Sequence, residues 1–349
     1  MDRSLMRSTT RDFVKYYNPE LHGELRLDTN TNVLGSNPAA ERYLRENSWD
    51  LNGYPNTYSD GLRGALADLY GLDADNIIAG NGSDELLDVI FKTFTDMGDN
   101  SVVPVPSYTL YDYFVKLNGG SALEVDLTED FQLDVDAIVK QDAKITIMPS
   151  PNNPTGNCFR PKDIEEILSR FNGVVVVDEA YAEYSDNPFV KRVEEFDNLV
   201  VLRTFSKAYA MAALRVGYAV TNKKLADMMI CVKIPYSLNM ISEGAAIAAV
   251  KDQDFVRRSV EMVREQRPKL DAGLRKLGFE TFPSDSNFIM ARSPIDHKVL
   301  VDGLKARGVL IRDFGSKRRT ENCVRTTVGT GELNAILLEK AEEVISGCR

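Results

Sequence analysis

Three side chains in this chain, Lys207, Asp178 and Asn153, each follow a run of apolar residues, the placement from which polar groups do chemistry. Lys207 follows "NLVVLRTFS", Asp178 closes "GVVVVD", and Asn153 follows "KITIMPSPN". A lysine on a loop between apolar segments, partly desolvated and near other cations, loses basicity and can form a Schiff base with a carbonyl. The plainer reading of Lys207 is a solvated surface side chain. Asp178 poses a sharper conflict. Four consecutive valines read as a strand buried on both faces, and such an interior rejects an unpaired carboxylate. Taken alone, Asp178 is resolved by a structural salt bridge, and Glu179 beside it has no assigned role. Asn153 lies in "PSPNNPTGN", a rigid turn by its Asn, Pro and Gly content. It either places an amide donor above a strand end or serves the turn alone, and a cis Asn153-Pro154 bond is open at this stage.

A fourth stretch, "AGNGSDELL", passes from a short strand through Gly80 and Gly82 to a helix opening at Ser83 or Asp84. Glycines let a ligand approach the backbone, and free amides at a helix start bind anions, phosphate above all. Ser or Asp at that position is also an ordinary helix cap.

The elements that must position these groups alternate along the chain from about residue 60. "GLRGALADLYG" puts Leu62, Leu66, Leu69 and Tyr70 on one helical face and stops at Gly71. Strand-like runs come next: "NIIAG", "SVVPV", "ALEVDL", "KITIMPS", "GVVVVDEA", "NLVVLRT" and "VGYAVT". Helical patterns at 84–95 and 161–171, the latter opened by Pro161, lie between them. This order predicts an α/β fold, a three-layer αβα large domain with a mainly parallel sheet. Past Ile247 a long charged helix over 252–277 leads to a smaller α+β region, with strands "NFIMAR", "GVLIRDF" and "CVRTTVG" and a closing helix over 332–345. The expected division is an N-terminal arm at 1–44, a large domain at 45–250 and a small domain at 251–349, the arm joining the small domain. In parallel α/β sheets ligands collect at the carboxyl ends of the strands, where Asn153, Asp178 and Lys207 fall.

Composition narrows the function. With 349 residues, 43% of them hydrophobic, the chain can bury a large core. The net charge of −10, from 52 acidic against 42 basic side chains without a long run of either sign, argues against a general nucleic-acid or anionic-membrane surface. A small anionic ligand can still find a local basic pocket. The four cysteines form no CxxC pair or Cys/His cluster, which reads as reduced thiols and no metal. His22 and His297, the only histidines, read as surface residues, too few for a multi-histidine site. The first residues lack a signal peptide's apolar core and no run reaches the ~20 residues of a membrane span, so the expected location is the cytoplasm.

"PNNPTG", "VVDEAY", "TFSKAYAMAALRVGY" and "VRTTVGT", in this order, resemble the pyridoxal-phosphate-dependent aminotransferases of the aspartate aminotransferase fold. The likeness includes "GYPNTYSDGLRGALADLYG" and "GNGSDELL" and spans essentially the whole chain; it is closest to the histidinol-phosphate aminotransferase subfamily. It implies that Lys207 carries pyridoxal 5'-phosphate covalently and then moves a proton as base and acid. Asp178 would pair with the pyridine nitrogen, Asn153 and Tyr181 would hydrogen-bond the ring's phenolic oxygen, and Tyr108 would stack on the ring, although a tyrosine there also reads as core. Gly82, Ser83, Asp84, Ser206 and Arg215 would hold the cofactor phosphate. Tyr54 from a second subunit would complete that pocket, which makes a homodimer the expected assembly. Arg325, helped by Arg312, would grip the phosphate of an amino donor and the carboxylates of 2-oxoglutarate, the 2-oxo acid acceptor. Tyr17, in "YNP", would cover the substrate or sit on an exposed arm.

Two departures from the subfamily pattern, "NTNVLG" for the usual NENP and "AALR" before the cofactor arginine, bear on the substrate and not on the cofactor ligands. The activity implied is transamination of L-histidinol phosphate with 2-oxoglutarate. An aromatic or aspartate-type aminotransferase and a threonine-phosphate decarboxylase on the same scaffold are the alternatives. A ligand-binding regulator is disfavoured by Lys207 and by the lack of an added DNA-binding region.

Overall fold

The computed structural model describes residues 3–15, 25–186 and 188–348. Tyr17 and His22 lie outside the described residues. The strands in chain order are β1 (Leu25–Arg26), β2 (Ile77–Gly80), β3 (Asn100–Val105), β4 (Ser121–Asp126), β5 (Ile145–Pro149), β6 (Val174–Asp178) and β7 (Leu199–Thr204). They continue with β8 (Gly217–Thr221), β9 (Glu280–Thr281), β10 (Phe288–Arg292), β11 (Val309–Leu310), β12 (Arg312–Asp313) and β13 (Cys323–Thr327).

Seven strands form the main sheet in the order β2-β8-β7-β6-β5-β3-β4. β4, β3, β5, β6 and β7 run parallel, and β8 is antiparallel to both β7 and β2. Each strand-like run between 76 and 221 in the sequence is one of these strands.

The valine run shows how the sheet is packed. Successive side chains of a strand face opposite sides. Val175 and Val177 join the core beneath the helices Asp60–Tyr70 and Pro161–Arg170, whereas Val174 and Val176 join the core beneath Ser83–Phe94 and Lys223–Val232. Both neighbours of β6 are strands, so every face of the run is apolar and valine suits each position. The same alternation governs the two acidic residues at its end. Asp178 continues the side of Val174 and Val176, and Glu179 turns to the opposite layer.

The helix Asp60–Tyr70 ends at Gly71, whose φ of +71° lets its amide reach the Ala67 carbonyl. Pro161 occupies the first turn of its helix, and the long charged helix runs from Asp254 to Lys276. Sequence periodicity passed over the helices Pro38–Glu46, Leu110–Leu117, Lys223–Val232, Met240–Lys251 and His297–Lys305.

The smaller sheet is antiparallel, β12-β13-β10-β9. Here "GVLIRDF" is not one strand. Val309 and Leu310 pair in parallel with β1, and Arg312 and Asp313 pair with β13, so the run changes partners at Ile311. His297 is also not a surface histidine: it is buried, its Nδ1 lies 2.7 Å from Asp313 Oδ1, and its ring fills the space beside Gly315. None of the described helices is long and apolar enough to cross a membrane.

Candidate active site

A cavity of about 340 Å³ opens at the carboxyl ends of the parallel strands. Of the site residues read from sequence, Ser83, Asp84, Tyr108, Asn153, Asp178, Tyr181, Ser206, Lys207, Arg215, Arg312 and Arg325 line it. Gly82 borders it through Arg215, and Tyr54 lies elsewhere, 84% exposed.

Register explains the convergence. Pro149, Asp178 and Leu202 are cross-strand neighbours on β5, β6 and β7. The loops leaving β5 and β7 therefore carry Asn153, Ser206 and Lys207 to the level of Asp178. Tyr111 Oη donates to Asp178 Oδ2 at 2.7 Å and the Ala180 amide donates to Oδ1 at 3.0 Å. Burial pushes the Asp178 carboxyl up to about 6 against these two hydrogen bonds. No cation makes a salt bridge with Asp178 among the described residues, so the structural salt bridge expected from sequence is absent.

That salt bridge belongs to the next residue. Glu179 Oε2 lies 3.1 Å from Arg203 Nε, and Glu183 Oε1 lies 3.0 Å from Arg203 Nη1, with Arg203 and Glu179 buried and Glu183 partly so. The Phe189 amide donates to Glu179 Oε1. Burial raises the Glu179 carboxyl to about 7, and Arg203 opposes the shift.

Lys207 Nζ donates to the Thr29 carbonyl at 3.0 Å and lies 5.5 Å from the centre of the Tyr181 ring. Tyr181 Oη accepts from Asn30 Nδ2 at 3.0 Å. Asn32 Nδ2 donates to the Ala208 carbonyl at 3.0 Å, so the "NTNVLG" segment is tied both to Tyr181 and to the residue after the lysine. Tyr108 borders the cavity with its ring edge-on to Tyr111, centroids 5.4 Å apart.

The helix Ser83–Phe94 opens without a side-chain cap. Its N-cap is Gly82, at φ +83°, and neither Ser83 nor Asp84 caps it; Asp84 instead meets Arg215 Nη2 at 3.2 Å. A β-carbon on Gly82 would stand 2.7 Å from Arg215 Nη2, and one on Gly217 would stand 2.3 Å from the Ser83 nitrogen. Glycine at both positions lets the guanidinium and the helix start share one cradle, with Ser206 Oγ 3.5 Å from Arg215 Nη1. The donors suit a phosphate, and the buried, unpaired Asp178 suits a ring that carries a proton on nitrogen. These residues fit pyridoxal phosphate.

Arg325, on β13, is buried between the Phe288 and Phe314 rings at 5.1 and 5.4 Å. Its Nη1 donates to Asn153 Oδ1 at 2.5 Å and its Nη2 to the Asp28 carbonyl at 2.7 Å, while Nε has no partner. Burial lowers the guanidinium to about 10, with Arg312 adding to the effect. Asn153 is thus held by Arg325, and the Asn153-Pro154 bond is cis.

Sequence reasoning missed Asn30, Asn32, Thr29, Tyr111 and Lys317. Tyr111 had a usable signal, since it stands three residues after Tyr108 and so shares its side of a helical turn. Lys317 was hidden in the cationic run "SKRR", which reads as a solvated surface.

A lysine, a buried carboxylate and a phosphate cradle on a mainly parallel sheet, beside a small antiparallel sheet bearing an arginine, define an amino-group-transferring enzyme. The chain belongs to the aminotransferase class I and II family, whose model matches residues 22–340. It is 34% identical over 352 residues to a histidinol-phosphate aminotransferase of Thermoanaerobacter sp. strain X514, covering 99% of this chain and 100% of that protein. The enzyme of the same name from Thermococcus gammatolerans is 35% identical, with 98% of each chain covered. The crystal structure of histidinol-phosphate aminotransferase from Sinorhizobium meliloti, in complex with pyridoxal-5'-phosphate, superposes with a TM-score of 0.86 at 25% identity, covering 93% of this chain and 92% of that one.

Proposed function

We propose that this aminotransferase moves the amino group of L-histidinol phosphate to 2-oxoglutarate, giving imidazole acetol phosphate and glutamate, with pyridoxal 5'-phosphate as cofactor in histidine biosynthesis. The observation that carries the substrate reading is Arg325, buried and without a carboxylate partner among the described residues, in the same cavity as Lys207 and Asp178. A buried cation left uncompensated by the protein is a site for an anionic substrate.

Pyridoxal phosphate, when bound, supplies an electron sink for the carbanion left when the substrate's α-proton departs. The protein's own groups do the rest. Lys207 Nζ would anchor the cofactor, then take that proton and return it two atoms away, on the carbon beyond the bridging nitrogen. Asp178 holds the pyridine nitrogen's proton, and Tyr111 and Ala180 fix the carboxylate that does so. Asn153 and Tyr181 bind the phenolic oxygen, and Tyr108 covers the ring. The Gly82–Asp84 turn, Ser206 and Arg215 hold the cofactor phosphate. Arg325 and Arg312 hold the substrate anion.

The working assembly is a cytoplasmic homodimer. Leu51, Tyr54, Ile234 and Tyr236 are 75%, 84%, 64% and 45% exposed, and the Tyr54 and Tyr236 rings lie 5.1 Å apart. Exposed apolar side chains with a tyrosine pair among them support a second copy that receives Tyr54 at its phosphate site. The proposed division of the chain is an arm (1–44), a large domain (45–250) and a small domain (251–349), and the pairing of β1 with β11 supports joining the arm to the small domain.

Incubation of the holoenzyme with L-histidinol phosphate and 2-oxoglutarate tests the reading, with glutamate as the expected product. Absence of glutamate together with carbon dioxide release from threonine phosphate would assign the lyase reaction instead.

A further inference from the structure

We propose that Lys317 is a specificity residue: with Arg312 and Arg325 it forms a three-cation clamp that selects a doubly charged phosphate over a singly charged carboxylate. The inference rests on the donor reading above and deepens it.

Arg312 and Arg325 are direct cross-strand partners in the antiparallel β12-β13 pair. Like charges in that position repel, and neither arginine has a carboxylate at salt-bridge distance among the described residues. The carboxylates that line the cavity are committed elsewhere, Asp28 to Arg26 at 2.9 Å, Asp84 to Arg215 at 3.2 Å and Asp178 to the Tyr111 hydroxyl. Arg325 Nε is buried and unpartnered beside them.

Lys317 adds a third charge to this pair. It lies in the turn after β12, where its amide donates to the Phe314 carbonyl at 3.0 Å, and its ammonium stands 5.3 Å from the centre of the Phe314 ring at the cavity wall. Its two neighbours in sequence behave differently. Arg318 pairs with Asp126 and Glu124, and Arg319 donates to the Thr128 carbonyl at 3.2 Å, both on the outer side of the turn. Of three consecutive cations, two fasten the turn to the large domain and the third faces the cavity without a carboxylate partner among the described residues. Partial burial and the two arginines lower the Lys317 ammonium, as expected for a cation awaiting its counter-charge. Three positive charges around one site match a phosphate dianion better than a monoanion.

The test compares holoenzyme with K317M and K317R, using 2-oxoglutarate as acceptor and either histidinol phosphate or unphosphorylated histidinol as donor. In K317M the KM for histidinol phosphate should rise about ten- to a hundredfold, the loss of one charge-assisted contact. The effect falls on KM rather than kcat, exceeds any change for histidinol at least fivefold, and is largely restored in K317R. Equal changes for both donors, or no change for either, would overturn the clamp. Inorganic phosphate as an inhibitor of the glutamate half-reaction separates this inference from the donor assignment. If the wild-type enzyme does not use histidinol phosphate, the donor assignment fails. The clamp still stands if K317M weakens phosphate inhibition about tenfold, and falls if inhibition is unchanged.

Discussion

Two arginines in this molecule are equally buried and electrostatically opposite. Arg203, at 4% exposure, is met by Glu179 and Glu183. Arg325, at 5% exposure, meets among the described residues the neutral oxygens of Asn153 and the Asp28 backbone, and lies across the strands from a second arginine. The first has its counter-charge inside the protein, and the second lacks one until an anion arrives. Burial alone therefore says little about role; a counter-charge, present or missing, separates a structural cation from a binding one. The same distinction separates Glu179, inside an ion pair, from Asp178, which has hydrogen bonds and no cation.

The contrast is broken most severely by removing the arginine of the closed network. R203M leaves the buried Glu179 and the partly buried Glu183 without their cation and should cost about 3–5 kcal/mol in denaturant unfolding of the holoenzyme. R325M, which relieves a repulsion, should unfold at no less denaturant than wild type; a comparable loss in both would erase the difference between the two sites. The adjacent carboxylates provide the next largest effect. D178N should lower kcat by about a hundred- to a thousandfold while the protein still binds cofactor, since it removes a preorganised charge and keeps the shape. E179Q should instead lose stability with most of kcat retained, and a shared phenotype would mean the two carboxylates are not divided as described.

A smaller loss, about ten- to a hundredfold in kcat/KM, is expected for R325K, which keeps the charge and loses the fork. Its cofactor absorbance should match wild type; a purely spectral defect would place Arg325 at the cofactor instead. The smallest effect tests what holds Asp178 in its present state. The Tyr111 hydrogen bond keeps the Asp178 carboxyl from rising further above its present value of about 6, so Y111F should raise it. A carboxyl that gains protons more readily is ionised only at higher pH. The acid limb of cofactor binding to the apoenzyme should then move to higher pH, by about half a unit to one unit. An unmoved limb would remove Tyr111 from the control of that charge.

Most of the main sheet was legible because each strand is a short β-branched run set off by turn residues, a local signal. Asp178, Lys207, Asn153 and Arg325 were legible for a related reason: each sits within or beside a recognisable stretch at a strand end. Asn30 was not, because its partner Tyr181 lies 151 residues away and asparagine in "TNTNV" looks like any turn. His297 was misread as a surface residue, since its burial depends on Asp313 and the bare backbone of Gly315 meeting it in space. The Ser or Asp cap failed for a physical reason as well. Gly82 takes the cap position, and the Asp84 carboxylate is drawn to Arg215. "GVLIRDF" has strand composition throughout, and nothing in it marks Ile311 as the point where pairing passes from one sheet to another.

The alternation along β6 carries a consequence for how the gene can change. Because Asp178 and Glu179 are consecutive and face opposite layers, inserting or deleting one residue within the valine run would exchange their places. Such a frame-preserving codon change would send the glutamate toward the cavity and the aspartate toward Arg203, damaging stability and turnover in one step. Substitution among the valines is tolerable by comparison. Of all segments in the chain, this strand should be the least permissive to changes in length, and a scan of single-codon insertions and deletions should show its deepest minimum there.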